Sequence, residues 1–235
     1  MQTIEKTDST QLSKFTSLVY LYSGLGIAFW LLCAAALTKY FMVHEALMLS
    51  LLQTANHHPF LSGVAIIAVS LVFIMLCRAF VDRSYFLTFV FYLGFIATFS
   101  VLGVPIFVLY SASAIVKSVA LTAVIFVALA AYGYFTKTNL MTWQKTLFWG
   151  LIAILAASLV NVFLLHNSFM GMVVNILTII VFMGYIAFDS QNLKYLYAEN
   201  KDSNLGALAL YASVDLILDF INILLSILSL GNDNN

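Results

Sequence analysis

Seven apolar runs, each close to the length that a helix needs to cross a lipid bilayer, constrain this chain more than any other feature. They cover roughly residues 16–38, 60–80, 84–108, 112–135, 146–165, 168–190 and 205–230. About 20 apolar residues in a helix span the hydrocarbon core of a membrane. Only 9% of the residues are charged and 63% are hydrophobic, too few polar groups to cover a soluble domain. The sequence therefore predicts an integral membrane protein.

The spans are predicted to be helices, because the strands of a membrane barrel alternate apolar and polar residues and these runs do not. The fold class is all-α. We expect a single seven-helix domain over residues 16–230, with a cytoplasmic tail over 1–15 and an exterior tail over 231–235. Six spans remain an alternative if the last run is re-entrant, but its length favours seven.

Lysine and arginine residues indicate the orientation, because cytoplasmic loops carry most of the positive charge. With the amino terminus inside, the cytoplasmic side holds Lys6, Lys14, Arg78, Arg83, Lys137, Lys145, Lys194 and Lys201, and the outside holds Lys39 and Lys117. This asymmetry predicts a cytoplasmic amino terminus and an exterior carboxyl terminus. The compact loops and short tails favour a bacterial plasma membrane over an organelle.

Sequence signatures of common enzymes are missing: the chain has no GxSxG, Walker A, HExxH or GxGxxG motif. We therefore expect neither an enzyme nor a tightly bound cofactor. Ten basic and ten acidic residues cancel, so the net charge does not point to a nucleic-acid partner. The expected surroundings are the lipid bilayer and other membrane proteins, and the oligomeric state stays open.

The connection over residues 39–59 contains His44, Glu45, His57 and His58. Histidine and glutamate side chains are common metal ligands, but the adjacent histidines point two ways and no pair of ligands has the i, i+4 spacing of a helical metal site. We therefore favour a solvated or interfacial loop over a metal site.

The last run contains the stretch VDLILDFINILLSIL, residues 214–228, in which two aspartates interrupt an apolar sequence. Asp215 and Asp219 share a helix face, and Asn222 follows on the same face. Asp189 stands near the inner end of the sixth run and lies inside the bilayer if the helix continues through NLKYLYAEN. Because a carboxylate in hydrocarbon is costly, such residues face protein or water and mark functional sites.

Around these acids the sequence resembles a known family. FDSQNLKYLY (188–197) followed by LDFINILLSIL (218–228) is similar to the last two helices of the transmembrane Bax inhibitor motif family, and AYGYFTKTNL (131–140) is similar to the stretch after its fourth helix. The resemblance implies seven helices, with six packed around a central carboxyl-terminal one. It also implies a pH-sensitive calcium leak channel, the activity attributed to bacterial members.

Carried over to this chain, the resemblance makes Asp189 and Asp219 the facing aspartate pair that closes the pore, with Arg78 as the basic partner. Two departures stand out, because Ser229 replaces an arginine of the family pattern and Asp215 is an additional acid. Asp215 is therefore a second candidate to face Asp189, although the intact LDFIN frame favours Asp219.

Elementary electrostatics indicates how such a pair can act. Two carboxyl groups forced together in a medium of low dielectric constant cannot both ionise cheaply, so they share a proton and hold their helices together. When the protons leave, repulsion favours opening and exposes the oxygen ligands that Ca²⁺ accepts. We thus expect Asp189 and Asp219 to contact calcium transiently as it permeates. A proton-coupled transporter and a non-transporting scaffold for membrane proteins remain the alternatives.

Overall fold

The computed structural model of the chain describes residues 2–57 and 59–232, and its regular elements over those residues are helical. The α-helices are α1 Gln2–Val43, α2 Glu45–His57, α3 Pro59–Phe80, α4 Tyr85–Phe99, α5 Val104–Leu109, α6 Ala112–Phe135, α7 Gln144–Val160, α8 Ser168–Glu199 and α9 Leu205–Asn232. The predicted all-α fold is confirmed. His58 and residues 233–235 of the predicted exterior tail lie outside the described residues.

In the described part of the chain, seven helical segments are long and apolar enough to cross a membrane, as the sequence predicted. They are Ser9–Val43, Leu61–Phe80, Tyr85–Leu109, Ala112–Phe135, Leu140–Leu165, Ser168–Glu199 and Leu205–Gly231. The last span is the most enclosed, with 56% of its apolar window buried, against 11–33% in the other six. The first helix begins at Gln2, so the residues predicted as an amino-terminal tail continue it.

The prediction that residues 39–59 form a loop was wrong, because most of this segment is helix α2. Its residues, EALMLSLLQTANH, are mainly good helix formers and include neither glycine nor proline. Glu45 in the first turn also interacts favourably with the positive end of the helix dipole. The carbonyl of His44 accepts hydrogen bonds from the backbone N–H groups of Leu47 and Met48, which starts the helix.

The third span is interrupted near its end by a short 3₁₀ turn over Ser100–Gly103, after which α5 begins at Val104. Pro105 explains the break, since proline has no N–H group and its ring clashes with the carbonyl oxygen four residues earlier. Gly103 lies against the side chains of Trp30 and Ala34, so the break also brings this segment close to α1.

The helices form two compact units. The first contains Met1–Leu109 and Asn200–Val214, and the second contains Tyr110–Glu199 and Asp215–Asn235. Helix α9 thus contributes its beginning to the first unit and the remainder to the second. All three acids singled out in the sequence belong to the second unit.

Helices α6 and α8 of the second unit approach closely at Gly133. A Cβ atom at this position would lie 2.1 Å from the backbone oxygen of Ala187, a separation that no side chain tolerates. The obstacle is backbone rather than a flexible side chain, so the helices themselves would have to move apart. Gly133 is therefore needed for the close packing of α6 on the part of α8 that precedes Asp189.

We expect Gly133→Ala to lower the free energy of unfolding by about 1–3 kcal/mol, the usual effect of overpacking a close contact. The matched control is Gly24→Ala, because no atom lies within 4 Å of the added methyl group there. Thermal unfolding of both variants in detergent micelles measures the difference. Equal midpoints would contradict the close contact between Gly133 and α8.

Candidate functional site

Three aspartates of the second unit lie on two helices. Helix α8 continues to Glu199, beyond the predicted end of the sixth span at residue 190, so Asp189 lies inside the helix and within the span. Asp215 and Asp219 lie one turn apart on α9. The expectation that the sixth helix extends past Asp189 is confirmed.

The carboxyl groups of Asp189 and Asp219 are joined by a side-chain hydrogen bond. Asp215 lies close enough to interact electrostatically with both carboxyls, and so does Tyr185 on α8. The acids differ in exposure: Asp215 is exposed, Asp189 is half-buried and Asp219 is only 4% exposed. Asp219 is therefore the most enclosed of the three carboxyl groups.

A hydrogen bond between two carboxyl groups requires a proton on one of them, because an ionised carboxylate has acceptors and no donor. The second oxygen of Asp219, Oδ2, is buried and has no hydrogen-bond partner among the residues that the structure describes. A full charge on that oxygen would be costly without a partner. The arrangement therefore favours a pair that holds at least one proton and changes its interaction when that proton leaves.

The helix that carries Asp189 is fixed to the connection before α7 by a buried side chain, that of Gln191. Its Oε1 accepts a hydrogen bond from the backbone N–H of Leu140 at 2.7 Å, and its Nε2 donates to the carbonyl oxygen of Thr138 at 2.8 Å. The oxygen and the nitrogen of this one side-chain amide thus both bond to the same loop. Gln191 positions the backbone two residues from Asp189.

Lys194 makes a second attachment one turn further along α8. Its Nζ donates a hydrogen bond to the carbonyl oxygen of Tyr134 and lies 4.6 Å from the centroid of the Tyr134 ring. The stretches AYGYFTKTNL and FDSQNLKYLY, distant in sequence, are therefore in direct contact. The sequence did not lead us to the role of Gln191. The feature that could have indicated it is an amide side chain two residues after an intramembrane acid.

Arg78, predicted as the basic partner of Asp189, lies in the last turn of α3 in the first unit. Its Nη2 donates a hydrogen bond to Oδ1 of Asn200 at 3.3 Å, and its guanidinium lies 5.5 Å from the centroid of the Tyr211 ring. Both neighbours belong to the same unit, whereas Asp189 belongs to the second. The pairing of Arg78 with Asp189 stays a prediction.

Residues 2–57 and 59–232 contain no group of three or more His, Cys, Asp or Glu side chains arranged to hold a metal ion. His44 instead stacks on Tyr40, with 4.2 Å between ring centroids. The carboxyl groups of Asp189 and Asp219 are hydrogen-bonded to each other in this structure.

The fold and the site define a class of protein: a polytopic α-helical membrane protein with a pair of hydrogen-bonded aspartates inside its last two spans. The sequence profile of the family described as Inhibitor of apoptosis-promoting Bax1 matches residues 12–235. The chain belongs to this family, as the resemblance of its last two helices predicted.

Relatives in several bacteria are similar along most of the chain. Inner membrane protein YbhL of Escherichia coli K12 is 34% identical over 205 residues, which cover 86% of each chain. An uncharacterized membrane protein of Streptococcus pyogenes serotype M3 is 27% identical over 228 residues, covering 95% of this chain and 94% of its own. An uncharacterized protein of Borreliella burgdorferi is 37% identical over 135 residues, covering 55% of this chain and 57% of its own.

We expect Gln191→Leu to destabilise the loop before α7, because the buried N–H of Leu140 loses its acceptor at a cost of about 1–3 kcal/mol. Amide hydrogen exchange at Leu140 should accelerate accordingly. The control is Gln144→Leu, the same substitution at an exposed glutamine. If the amide of Leu140 exchanges at the same rate in both variants, Gln191 does not stabilise this loop.

Proposed function

We propose that the protein is a pH-sensitive leak channel for calcium, with Asp189 and Asp219 as the latch that keeps it closed. The observation that carries this proposal is the hydrogen bond between two carboxyl groups within membrane-spanning helices. Packing alone rarely needs such a pair, since carboxyl groups inside a membrane are expensive and usually serve transport or proton transfer. The protein performs no covalent chemistry in this proposal.

The latch works through the proton that the pair holds. With the proton present, the hydrogen bond ties α8 to α9; without it, two negative charges face each other. Two unit charges 4 Å apart interact by about 4 kcal/mol at the effective dielectric constant near a protein surface. Loss of the proton therefore replaces an attraction by a repulsion large enough to shift a conformational equilibrium by a factor of several hundred.

Calcium is the permeating ion in this proposal, not a resident cofactor. Carboxylate oxygens are ligands that Ca²⁺ prefers, and separation of the pair frees those of Asp189 and Asp219. Asp215 is the exposed acid and lies one turn before Asp219. It suits a position that a cation contacts on the cytoplasmic side of the pair, with a smaller influence on gating.

A proton-coupled transporter is the second candidate, because intramembrane acids also form proton relays. Transporters with broken helices usually interrupt corresponding spans in two halves. Among the residues that the structure describes, the 3₁₀ turn Ser100–Gly103 lies inside a span, while the π turn Asn161–Leu165 ends its span. This difference ranks the transporter below the channel, and a non-transporting scaffold for membrane proteins ranks third.

We propose the bacterial plasma membrane as the location, supported by the similarity to an inner membrane protein of Escherichia coli. The proposed orientation places the amino terminus in the cytoplasm and the carboxyl terminus outside, in accord with the positive-inside rule. Asp189 and Asp215 then lie nearer the cytoplasmic ends of α8 and α9, whereas Asp219 lies at the middle of α9.

Calcium flux into liposomes that contain only this protein should rise with pH, because the latch opens as the pair loses its proton. Asp219→Asn removes one charge and keeps a hydrogen-bonding group of similar shape, so it should flatten this pH response while the protein stays folded. The matched control, Asp215→Asn, removes an acid from the same helix face and should change the response much less.

Two results would count against this assignment. If Asp215→Asn abolishes the pH response and Asp219→Asn preserves it, the latch lies one turn earlier on α9. If wild-type protein passes no calcium at any pH, the channel is wrong and the scaffold becomes the preferred function. A proton gradient that drives calcium uphill would instead favour the transporter.

The orientation can be tested with single cysteines in a Cys33→Ala, Cys77→Ala background. A membrane-impermeant thiol reagent added to intact cells should label Asp233→Cys, which lies beyond the described residues, and should spare Lys137→Cys. Lys137 is exposed and so reports accessibility better than the neighbouring Leu140, which is fully buried. The opposite labelling pattern would reverse the orientation, and labelling of both only after lysis would contradict the exterior carboxyl terminus.

A further inference from the structure

The second unit contains a half-open cavity of about 370 Å³ between α7, α8 and α9. Its polar lining consists of Ser158, Asn175, Thr178, Asn222, Ser226 and Ser229. The remaining lining is aliphatic or aromatic and carries no charge. A cavity in which half of the lining residues are polar differs from an ordinary packing defect between membrane helices, which is apolar and dry.

Three of the polar lining residues continue the face of α9 that carries the acids. Asn222, Ser226 and Ser229 follow Asp219 at alternating spacings of three and four residues, so all of them lie along one side of the helix. At 1.5 Å per residue, this stripe extends about 15 Å from Asp219 toward the carboxyl end. The cavity is therefore on the same side of α9 as the acids, beyond Asp219.

The far end of the stripe is tied to α8 by one hydrogen bond. Nδ2 of Asn175 donates to Oγ of Ser229 at 2.8 Å. Both side chains are half-buried and both line the cavity. This bond joins the same two helices that Asp189 and Asp219 join, at the opposite end of the stripe.

The size and chemistry of the cavity suit water and a hydrated cation. Its volume corresponds to roughly ten water molecules at the density of the liquid. Amide and hydroxyl groups orient water and solvate a cation without binding it as tightly as a carboxylate would. Thr178 and Asn222 each donate to a carbonyl oxygen of their own helix, at 2.8 and 2.7 Å, so their side-chain oxygens still offer acceptor positions to water or a cation.

We propose that this cavity is a hydrated vestibule that connects Asp219 with the membrane side at which α9 ends, and that the Asn175–Ser229 hydrogen bond narrows it. Its role as an ion path rests on the proposed channel function, whereas its hydration does not. The vestibule holds water and passing cations, and the acid pair at its inner end controls passage.

Thiol reactivity tests the hydration directly. Ser226→Cys in the Cys33→Ala, Cys77→Ala background places a thiol on the cavity wall. The control is Ile176→Cys, whose side chain is 43% exposed on α8 next to Asn175 and does not line the cavity. A positively charged methanethiosulfonate reagent should modify Ser226→Cys at least about tenfold faster, because only a hydrated thiol ionises and reacts readily.

The same assay tests the Asn175–Ser229 hydrogen bond. Ser229→Ala should increase the modification rate of Ser226→Cys by about fivefold, the effect expected from losing one hydrogen bond. Ser229→Thr keeps the hydroxyl acceptor and should leave the rate near that of the parent. Asn222→Cys, also on the cavity wall, provides a second reporter if Ser226→Cys does not fold.

The possible results distinguish a failure of the vestibule proposal from a failure of the channel proposal. A reactive Ser226→Cys in a protein that passes no calcium supports the vestibule and contradicts only the channel. If Ser226→Cys and Ile176→Cys react at equal rates in a protein that does pass calcium, the vestibule is wrong and the channel stands. If Ser226→Cys is modified at the same rate in combination with Ser229→Ala and with Ser229→Thr, the Asn175–Ser229 bond does not narrow the path.

Discussion

A hydrogen bond between two carboxyl groups inside a membrane protein is the interaction on which the other features of the second unit depend. It exists only while a proton is present and while α8 and α9 stay within reach of each other. The packing of Gly133 against Ala187 and the two hydrogen bonds of Gln191 fix α8 on either side of Asp189. Contacts of α8 with α6 and with the loop before α7 therefore help to determine the geometry of the pair.

The attachment of α8 to the preceding loop also explains why two separate stretches belong together. The loop over residues 136–139 has backbone groups that no helix satisfies, and Gln191 and Lys194 supply partners for three of the carbonyl and N–H groups in and beside it. A buried backbone group without a partner is expensive, particularly near a membrane. The polar residues of α8 thus stabilise the loop, while the loop holds the helix that carries Asp189.

The number of spans and the helical class could be predicted from sequence because lipid imposes both, through the thickness of its core and its lack of hydrogen-bonding partners. The continuation of α8 past Asp189 could also be expected from its interfacial tyrosines. Helix α2 was missed because its 13 residues are too short for the hydropathy of a span. Gln191 and the cavity escaped notice because helical periodicity orients a side chain without revealing which neighbour it meets.

The polar stripe of α9 changes its chemistry along its length, and this order matters for a conducting path. Carboxyl groups at Asp215 and Asp219 give way to an amide at Asn222 and to hydroxyls at Ser226 and Ser229. A path conducts only if ions bind well enough to enter and weakly enough to leave. Charged ligands satisfy the first requirement, and neutral dipoles that replace part of the hydration shell satisfy the second. In the proposed channel, carboxylates alone would retain calcium and hydroxyls alone would not attract it. The graded order of groups would therefore combine attraction near the acid pair with weaker binding toward the end of α9.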